Sequence, residues 1–470
     1  MHVSSRRPLF RRQSRSNLYR MFLWTALIML GIGIILGIDR GDIGLAGAPI
    51  ATPTRALGSL IAEADTYFTA GKLDDAISAY REATKMDGQV ASAWASMARV
   101  QVYSSALLAT DSEKFQRLQE ALQSAEQATK IDPEDSLAAA VHALALDWNA
   151  GQYAFTDPEK SSTLLTQAEQ EAVRALQLDN TNSLAIIYYA EILIDQQKWE
   201  RGQQYLSQAS EPGAALMDWH RVYAYYLETQ GLYLQAIQEY DRAIQLTPNL
   251  TFLHLRAGAN YRQLAFASTI KNQRNDLYVK SLEYFDRAAK INEQIQVKNP
   301  IPYLSIAKTY SQMGEYYAAS RNVQKALEFE PTNPDVYGQL GIVYFKSRNY
   351  EGSIPAFKCA IRGCSAAESC DARGGCDKGD PGHEIIGMAL SPNTLVYYYT
   401  YGSVLASLSR PKQNYCSDAF AVFQEIRNSP FGSELGTLGI IQEGEAICRN
   451  IGATRTPQAS STSVEETPVP

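Results

Sequence analysis

No cysteine precedes Cys359, and the six in the chain are Cys359, Cys364, Cys370, Cys376, Cys416 and Cys448. The earlier part is therefore held by packing and not by a disulfide or thiolate–metal framework. Histidine is also scarce: His2, His142, His220, His254 and His383 are scattered, with no H-E-x-x-H pair to hold zinc on a helix face. The chain has no G-x-x-x-x-G-K-[ST] loop to cradle phosphate and no G-x-S-x-G elbow to present a nucleophile. His142, His220 and His254 read as packed or rim residues, and acid pairs such as Asp74-Asp75 and Glu465-Glu466 as solvated surface or tail. These absences predict a protein that is not an enzyme and takes no cofactor.

Charge is distributed unevenly. Arg6, Arg7, Arg11, Arg12, Arg15 and Arg20 occupy the first twenty residues with no acid among them, so the rest of the chain is more acidic than the overall −7. An acidic body argues against a phosphate backbone as partner, and no nucleic acid is expected. Met21 to Ile38 then runs without a charge, at about 1.5 Å per helical residue just long enough to cross a bilayer. The arginines on one flank, against Asp39-Arg40-Gly41-Asp42 on the other, predict a cytoplasmic N-terminus and everything beyond Asp39 outside. The competing reading is a signal peptide cut after Ala46-Gly47-Ala48. It is disfavoured by the length of the apolar run, the intervening charges and Pro49 after the cut. Gly33 and Gly37 form a G-x-x-x-G pair on which two such helices can pack as a homodimer, although glycine is common in membrane helices for other reasons.

Beyond a Gly-, Ala- and Pro-rich stretch from Ile43 to Thr54, a pattern returns about every 34 residues. It is clearest at Tyr303, Ala307, Tyr310, Gly314, Tyr316, Ala319, Ala326 and Pro331, and again at Tyr337, Gly341, Tyr344, Tyr350, Phe357 and Ala360. Small residues let two helix backbones approach, and aromatics fill the space between neighbouring hairpins. A weaker form runs from Ala64, Tyr67, Gly71, Ala76, Tyr80 and Ala83 to Tyr398, Gly402, Ala419 and Phe423. Extra residues interrupt it in the second unit and around Ile270 to Asp276. The pattern resembles the tetratricopeptide repeat. That resemblance implies an all-α, right-handed superhelical solenoid of antiparallel hairpins, here preceded by one transmembrane helix. The expected plan is a basic tail (1–20), an anchor (21–38), a linker (39–56), about nine repeat units (57–428) with an insertion at 362–393, a capping helix (429–451) and a disordered tail (452–470).

With the array outside the membrane, an even number of cysteines predicts disulfides. Cys416 opens the second helix of the ninth unit and Cys448 closes the capping helix. In an antiparallel arrangement those ends meet, so Cys416–Cys448 is expected. Cys359, Cys364, Cys370 and Cys376 lie in or beside the Gly- and Asp-rich insertion, where two local bridges are expected with the pairing left open. A four-cysteine zinc or iron site is the sharper alternative, but it usually shows close C-x2-C pairs, which are missing. Asp371, Asp377 and Asp380 are too sparse for a calcium loop.

In the family, first helices line the concave face. The resemblance therefore assigns partner contact to Glu191, Arg221, Tyr225, Glu228, Arg262, Lys308, Gln312, Phe345 and Lys346. This mix suits an extended peptide or a partner helix. The expected function is a membrane-anchored scaffold for protein or peptide partners, placed outside the cytoplasmic membrane and acting in envelope assembly or secretion. The alternative is a metal-dependent or thiol-redox protein acting through the cysteine-rich insertion.

Overall fold

The computed structural model describes residues 17–39, 56–376 and 381–453. Apart from their edges, the expected basic tail, linker and C-terminal tail lie outside the described residues, as do Asp377 and Asp380. The chain divides into two compact units, Met1–Ser59 and Leu60–Pro470.

The first unit holds α1 (Leu18–Asp39), whose side chains are described as far as Gly33. Among the described residues no helix is long and apolar enough to cross a membrane, and the last five residues of the expected span, 34–38, lie beyond those side chains. What is described is apolar on every side: Phe22, Leu23, Trp24, Ile28, Met29 and Leu30 are all exposed. From Met21 to Gly33 the one side-chain hydroxyl, Thr25, donates back to the Met21 carbonyl at 2.9 Å. Nothing lies within 4 Å of a Cβ built on Gly33. Gly37 falls outside the residues whose surroundings are described.

The second unit is built of hairpins, nine among the described residues. α2 (Leu57–Thr69) pairs with α3 (Leu73–Met86), α4 (Ala91–Ser105) with α5 (Asp111–Ile131), and α6 (Ser136–Tyr153) with α7 (Pro158–Leu178). α8 (Ser183–Asp195) pairs with α9 (Trp199–Gln208); a single turn, α10 (Ser210–Gly213), leads to α11 (Met217–Thr229) and α12 (Tyr233–Leu246). Then come α13 (Thr251–Ala267) with α14 (Lys271–Gln294), α15 (Ile301–Met313) with α16 (Tyr316–Phe329), and α17 (Pro334–Lys346) with α18 (Tyr350–Ile361). The insertion contributes α19 (Ala366–Ala372), followed by α20 (Leu395–Leu408), α21 (Cys416–Arg427) and the closing α22 (Leu435–Ala453). The inserts in the second and sixth units are absorbed as extra helical turns: α5 has 21 residues and α14 has 24.

Packing within a hairpin follows from small residues on the first helix facing aromatics on the second. A Cβ added at Gly258, Gly341 or Gly402 would meet the ring of Phe285, Phe357 or Phe423 at 2.6, 2.7 and 2.5 Å. The alanines of the pattern, among them Ala64, Ala98, Ala121, Ala224, Ala319 and Ala326, are fully buried. Five hairpins end their first helix in the same way, with Gly71, Gln197, Gly231, Gly314 or Arg348 at positive φ. The N–H of the next residue returns to the carbonyl five residues back, as in Lys72 to Tyr67 at 2.9 Å and Asn349 to Tyr344 at 2.9 Å, a closure that satisfies carbonyls the helix end leaves open.

Gly71 has a second reason to be glycine. A Cβ there would lie 2.2 Å from the backbone oxygen of Asn249, in the loop before α13. The first hairpin therefore packs against the start of the sixth, because the array turns back on itself. Asn299 donating to the Leu107 carbonyl at 2.7 Å and Asn393 donating to Asp111 at 3.0 Å lie on the same seam. Gly231, at φ 72°, has open space around it. Alanine at Gly231 is expected to cost only the left-handed backbone penalty of about 1–2 kcal/mol. Gly71→Ala is expected to cost more than that, because backbone must move. Urea melts of the two variants check this; equal losses would show that the seam contributes nothing.

Candidate functional site

The turn of the array brings first helices that are distant in sequence onto one centre, which is filled. Asp218, on the first turn of α11, is 1% exposed. It accepts from the Arg99 guanidinium and Tyr103 hydroxyl of α4, and from the Tyr188 hydroxyl of α8 at 2.8 Å. Burial alone would raise its carboxyl, but Arg99 and Arg221 outweigh that and hold it near 2. One turn further along α11, Arg221 makes a two-pronged pair with Glu191 of α8, both bonds at 2.6 Å. Its guanidinium lies 5.2 Å from the centroid of the Tyr103 ring and 5.8 Å from that of Trp148, whose Nε1 donates to the same Glu191 at 3.2 Å. Phe252 of α13 stacks on Tyr103 with ring centroids 5.6 Å apart.

Beside this centre is a cavity of about 440 Å³, lined among others by Asp147, Trp148, Glu191, Asp195, Arg221, Tyr225, Phe252 and Arg256. Asp147 of α6 is 2% exposed, and neither of its carboxylate oxygens has a hydrogen-bond donor. Burial, reinforced by neighbouring Asp195 and Glu191, pushes this carboxyl well above the usual range. Asp195, which closes α8, accepts from the Tyr225 hydroxyl at 2.5 Å. Burial raises it to about 6 against the pull of that hydroxyl. Neither acid forms an ion pair. The guanidiniums at the cavity wall are already matched, Arg221 by Glu191 and Arg256 by Glu228.

The nine residues expected on the concave face thus separate into groups. Glu191 and Arg221 are buried against each other and present no free charge. The reason is curvature: the tight turn of the first six hairpins places their inner helices in mutual contact instead of around an open groove. Tyr225 lines the cavity, and Glu228 is occupied by Arg256, Tyr240 and Asn260. Farther along, Arg262 donates to the Ser305 carbonyl at 3.3 Å. Lys308, Gln312, Phe345 and Lys346 are exposed. Burial, then the nearby charges of Arg262 and Lys346, lower the Lys308 ammonium. These three cations form no ion pairs, so the inner face carries an acidic cavity at one place and a basic patch at another. Asp147, Asp195, Arg99 and Asp218 were not singled out from the sequence, yet a signal was present: Asp147 is the one acid in α6, amid Ala, Leu and Val.

Each of the six cysteines is in a disulfide: Cys359–Cys364, Cys370–Cys376 and Cys416–Cys448. Between the first two bridges, α19 starts with a capping box in which Ser365 and Glu368 satisfy each other's backbone donors. The insertion then pairs Cys364 with Ile385 in an isolated bridge and is fastened to α16 by Gln324 donating to the Arg373 carbonyl at 2.7 Å. Among the described residues no group of three or more His, Cys, Asp or Glu could hold a metal ion. The buried histidines have structural partners: His220 meets Glu239 at 2.7 Å and His254 the Pro248 carbonyl at 2.9 Å.

Residues 61–136 and 190–250 match one family model described as a tetratricopeptide repeat, and residues 302–333 match a second with the same description. No curated protein matches the sequence. Among solved structures, the human IFIT1 dimer with PPP-AAAA is similar at TM-score 0.50 and 15% identity, over 86% of this chain and 92% of that one. The human IFIT1 dimer with m7Gppp-AAAA gives TM-score 0.51 at 15% identity, over 84% and 90%. At such identities the likeness is one of fold alone. Matched by two repeat models over these segments and folded as a stack of small-residue and aromatic hairpins, the chain contains tetratricopeptide repeats.

Proposed function

We propose that this chain is a membrane-anchored interaction scaffold, non-enzymatic, whose repeat array holds protein or peptide partners outside the cytoplasmic membrane of a bacterium, in envelope assembly or secretion. The observation that carries the anchor is α1, whose described side chains are large, apolar and exposed all round, the character of a helix that has lipid for solvent. Three disulfides suit an oxidising compartment. The anchor raises the local concentration of the array near membrane partners, and the inner face selects among them. RNA is bound by human IFIT1 in the complexes above. Here the cavity on the inner face has two carboxyls without a cationic partner, which argues for a different ligand.

Two measurements test this. A periplasmic reporter fused after Thr54 is expected to be active, and activity of a cytoplasmic reporter instead would reverse the topology. Crosslinking of the anchored protein should lose most of its captured partners when Lys308→Ala, Gln312→Ala and Lys346→Ala are combined. An unchanged partner list would reject the exposed inner face as the docking surface.

A further inference from the structure

The cavity between α6, α8, α11 and α13 contains something a packed core does not tolerate without return. Asp147 is a carboxyl buried to 2% exposure, no group donates to either of its oxygens and its one hydrogen-bond partner is a second acid, Asp195; it lines an open cavity large enough for a long side chain. A buried polar group without partners costs stability in any fold. Asp195 faces the same space, hydrogen-bonded to the Tyr225 hydroxyl and to Asp147 itself. Trp148, Tyr225 and Phe252 supply aromatic walls. Two adjacent acids without a countercharge, among aromatic rings, are the chemistry that recognises an ammonium or guanidinium group.

We infer that this cavity is a cation pocket in which Asp147 and Asp195 clamp the lysine or arginine side chain of a partner peptide. The inference rests on the scaffold reading above and deepens it. The volume suits one long basic side chain and not a folded element, so the rest of the peptide runs along the inner face toward the basic patch of Arg262, Lys308 and Lys346. A cation seated between the two acids favours their charged forms, so the Asp147 carboxyl releases its proton to solvent as the ligand charge takes its place. The charged groups facing the pair are Glu191 on α8, Arg221 on α11 and Arg256 on α13; the two arginines already hold Glu191 and Glu228, so Asp147 and Asp195 alone are free to take a new cation.

The test uses the full chain in detergent and a pentapeptide, Gly-Lys-Gly-Arg-Gly, carrying a neutral dye and read by fluorescence anisotropy. At pH 8 the peptide is expected to bind, while a control with glutamine for both basic residues does not. Asp147→Asn and Asp195→Asn should each weaken binding at least tenfold, and lowering the pH to 5 should do the same to the wild-type protein. Calorimetry in two buffers of different ionisation heat should detect proton release on binding at pH 7, which a structural role for Asp147 would not produce. Loss of binding by unfolding is separated by a thermal melt. The Asp147 carboxyl sits above its unfolded value, so its contribution is present below about pH 4 and lost as pH rises; Asp147→Asn should melt no lower than wild type at pH 8. Unchanged peptide affinity in both variants would overturn the inference, as would a 5′-triphosphate RNA tetranucleotide that displaces the peptide. Binding of spermidine without the peptide would overturn the peptide as occupant. If the pocket variants fail these tests while the Lys308 and Lys346 variant still loses partners, the cation pocket is wrong and the scaffold stands.

Discussion

Asp218→Ala is expected to destabilise the first six hairpins by about 3–5 kcal/mol, because it leaves buried charge without its partner. Asp218 is the common acceptor for Arg99, Tyr103 and Tyr188, which come from two other helices. Removing it strands the Arg99 guanidinium between Phe68 and Tyr103, 5.1 and 5.4 Å from their centroids, and leaves the buried Tyr103 and Tyr188 hydroxyls with only each other, 3.3 Å apart, so that one of them loses its acceptor. Asp218→Asn keeps the shape and one acceptor oxygen and should lose less. The pH dependence follows from the sign of the shift. The folded carboxyl lies near 2, below its unfolded value of about 3.9, so its contribution is complete above about pH 4 and disappears as pH falls toward 2. Hydrogen exchange in α4, α8 and α11 is the right readout, since a repeat array opens locally. An Asp218→Ala variant whose exchange in these helices matches wild type would show that the centre is not held by this network.

The second large effect is expected at the other end. Replacing Cys416 and Cys448 by serine should cost the closing helix about 3–4 kcal/mol, the loop entropy of a bridge across 32 residues. Both sulfurs are buried and sit in one apolar cluster with Phe423, Ile426 and Ile441, so α22 loses a tether while α21 and α22 each gain a hydroxyl in an apolar setting. Its amides are expected to exchange at least a hundredfold faster, while α4 to α13 are unchanged. The bridges Cys359–Cys364 and Cys370–Cys376 span only 5 and 6 residues, and the same relation gives about 2 kcal/mol each. Reductant should therefore loosen α22 most. Equal protection of α22 with and without its bridge would show that apolar packing alone holds the cap.

Much of the fold was legible because its causes are local. A small residue must face an aromatic within each hairpin, and Gly258 with Phe285 or Gly341 with Phe357 meets that demand at readable spacings. The turn at Gly71, Gly231 and Gly314 is equally local. Cys416 and Cys448 are placed by the same logic, one at the start of a helix and one near the end of the next. The pairing of the other four cysteines was not legible, since spacing alone does not decide among the three possible arrangements. The inner face was the least legible part. Glu191 and Arg221 were assigned to a partner as first-helix residues, and the structure pairs them with each other. Arg99 and Asp218 lie 119 positions apart, and no periodicity of about 34 residues links them.

The sequence by itself determined the hairpin, its repetition and the apolar character of the N-terminal helix, because each depends on contacts between near neighbours or on composition. Only the tertiary structure decided how tightly the array turns. That curvature is a small rotation accumulated over several hairpin interfaces, and it determines whether inner helices face solvent or one another. Here it closes the first hairpin onto the sixth at Gly71 and Asn249. The same turn consumes Glu191, Arg221 and Asp218 as internal partners, and leaves Asp147 and Asp195 around a cavity with no cation of their own.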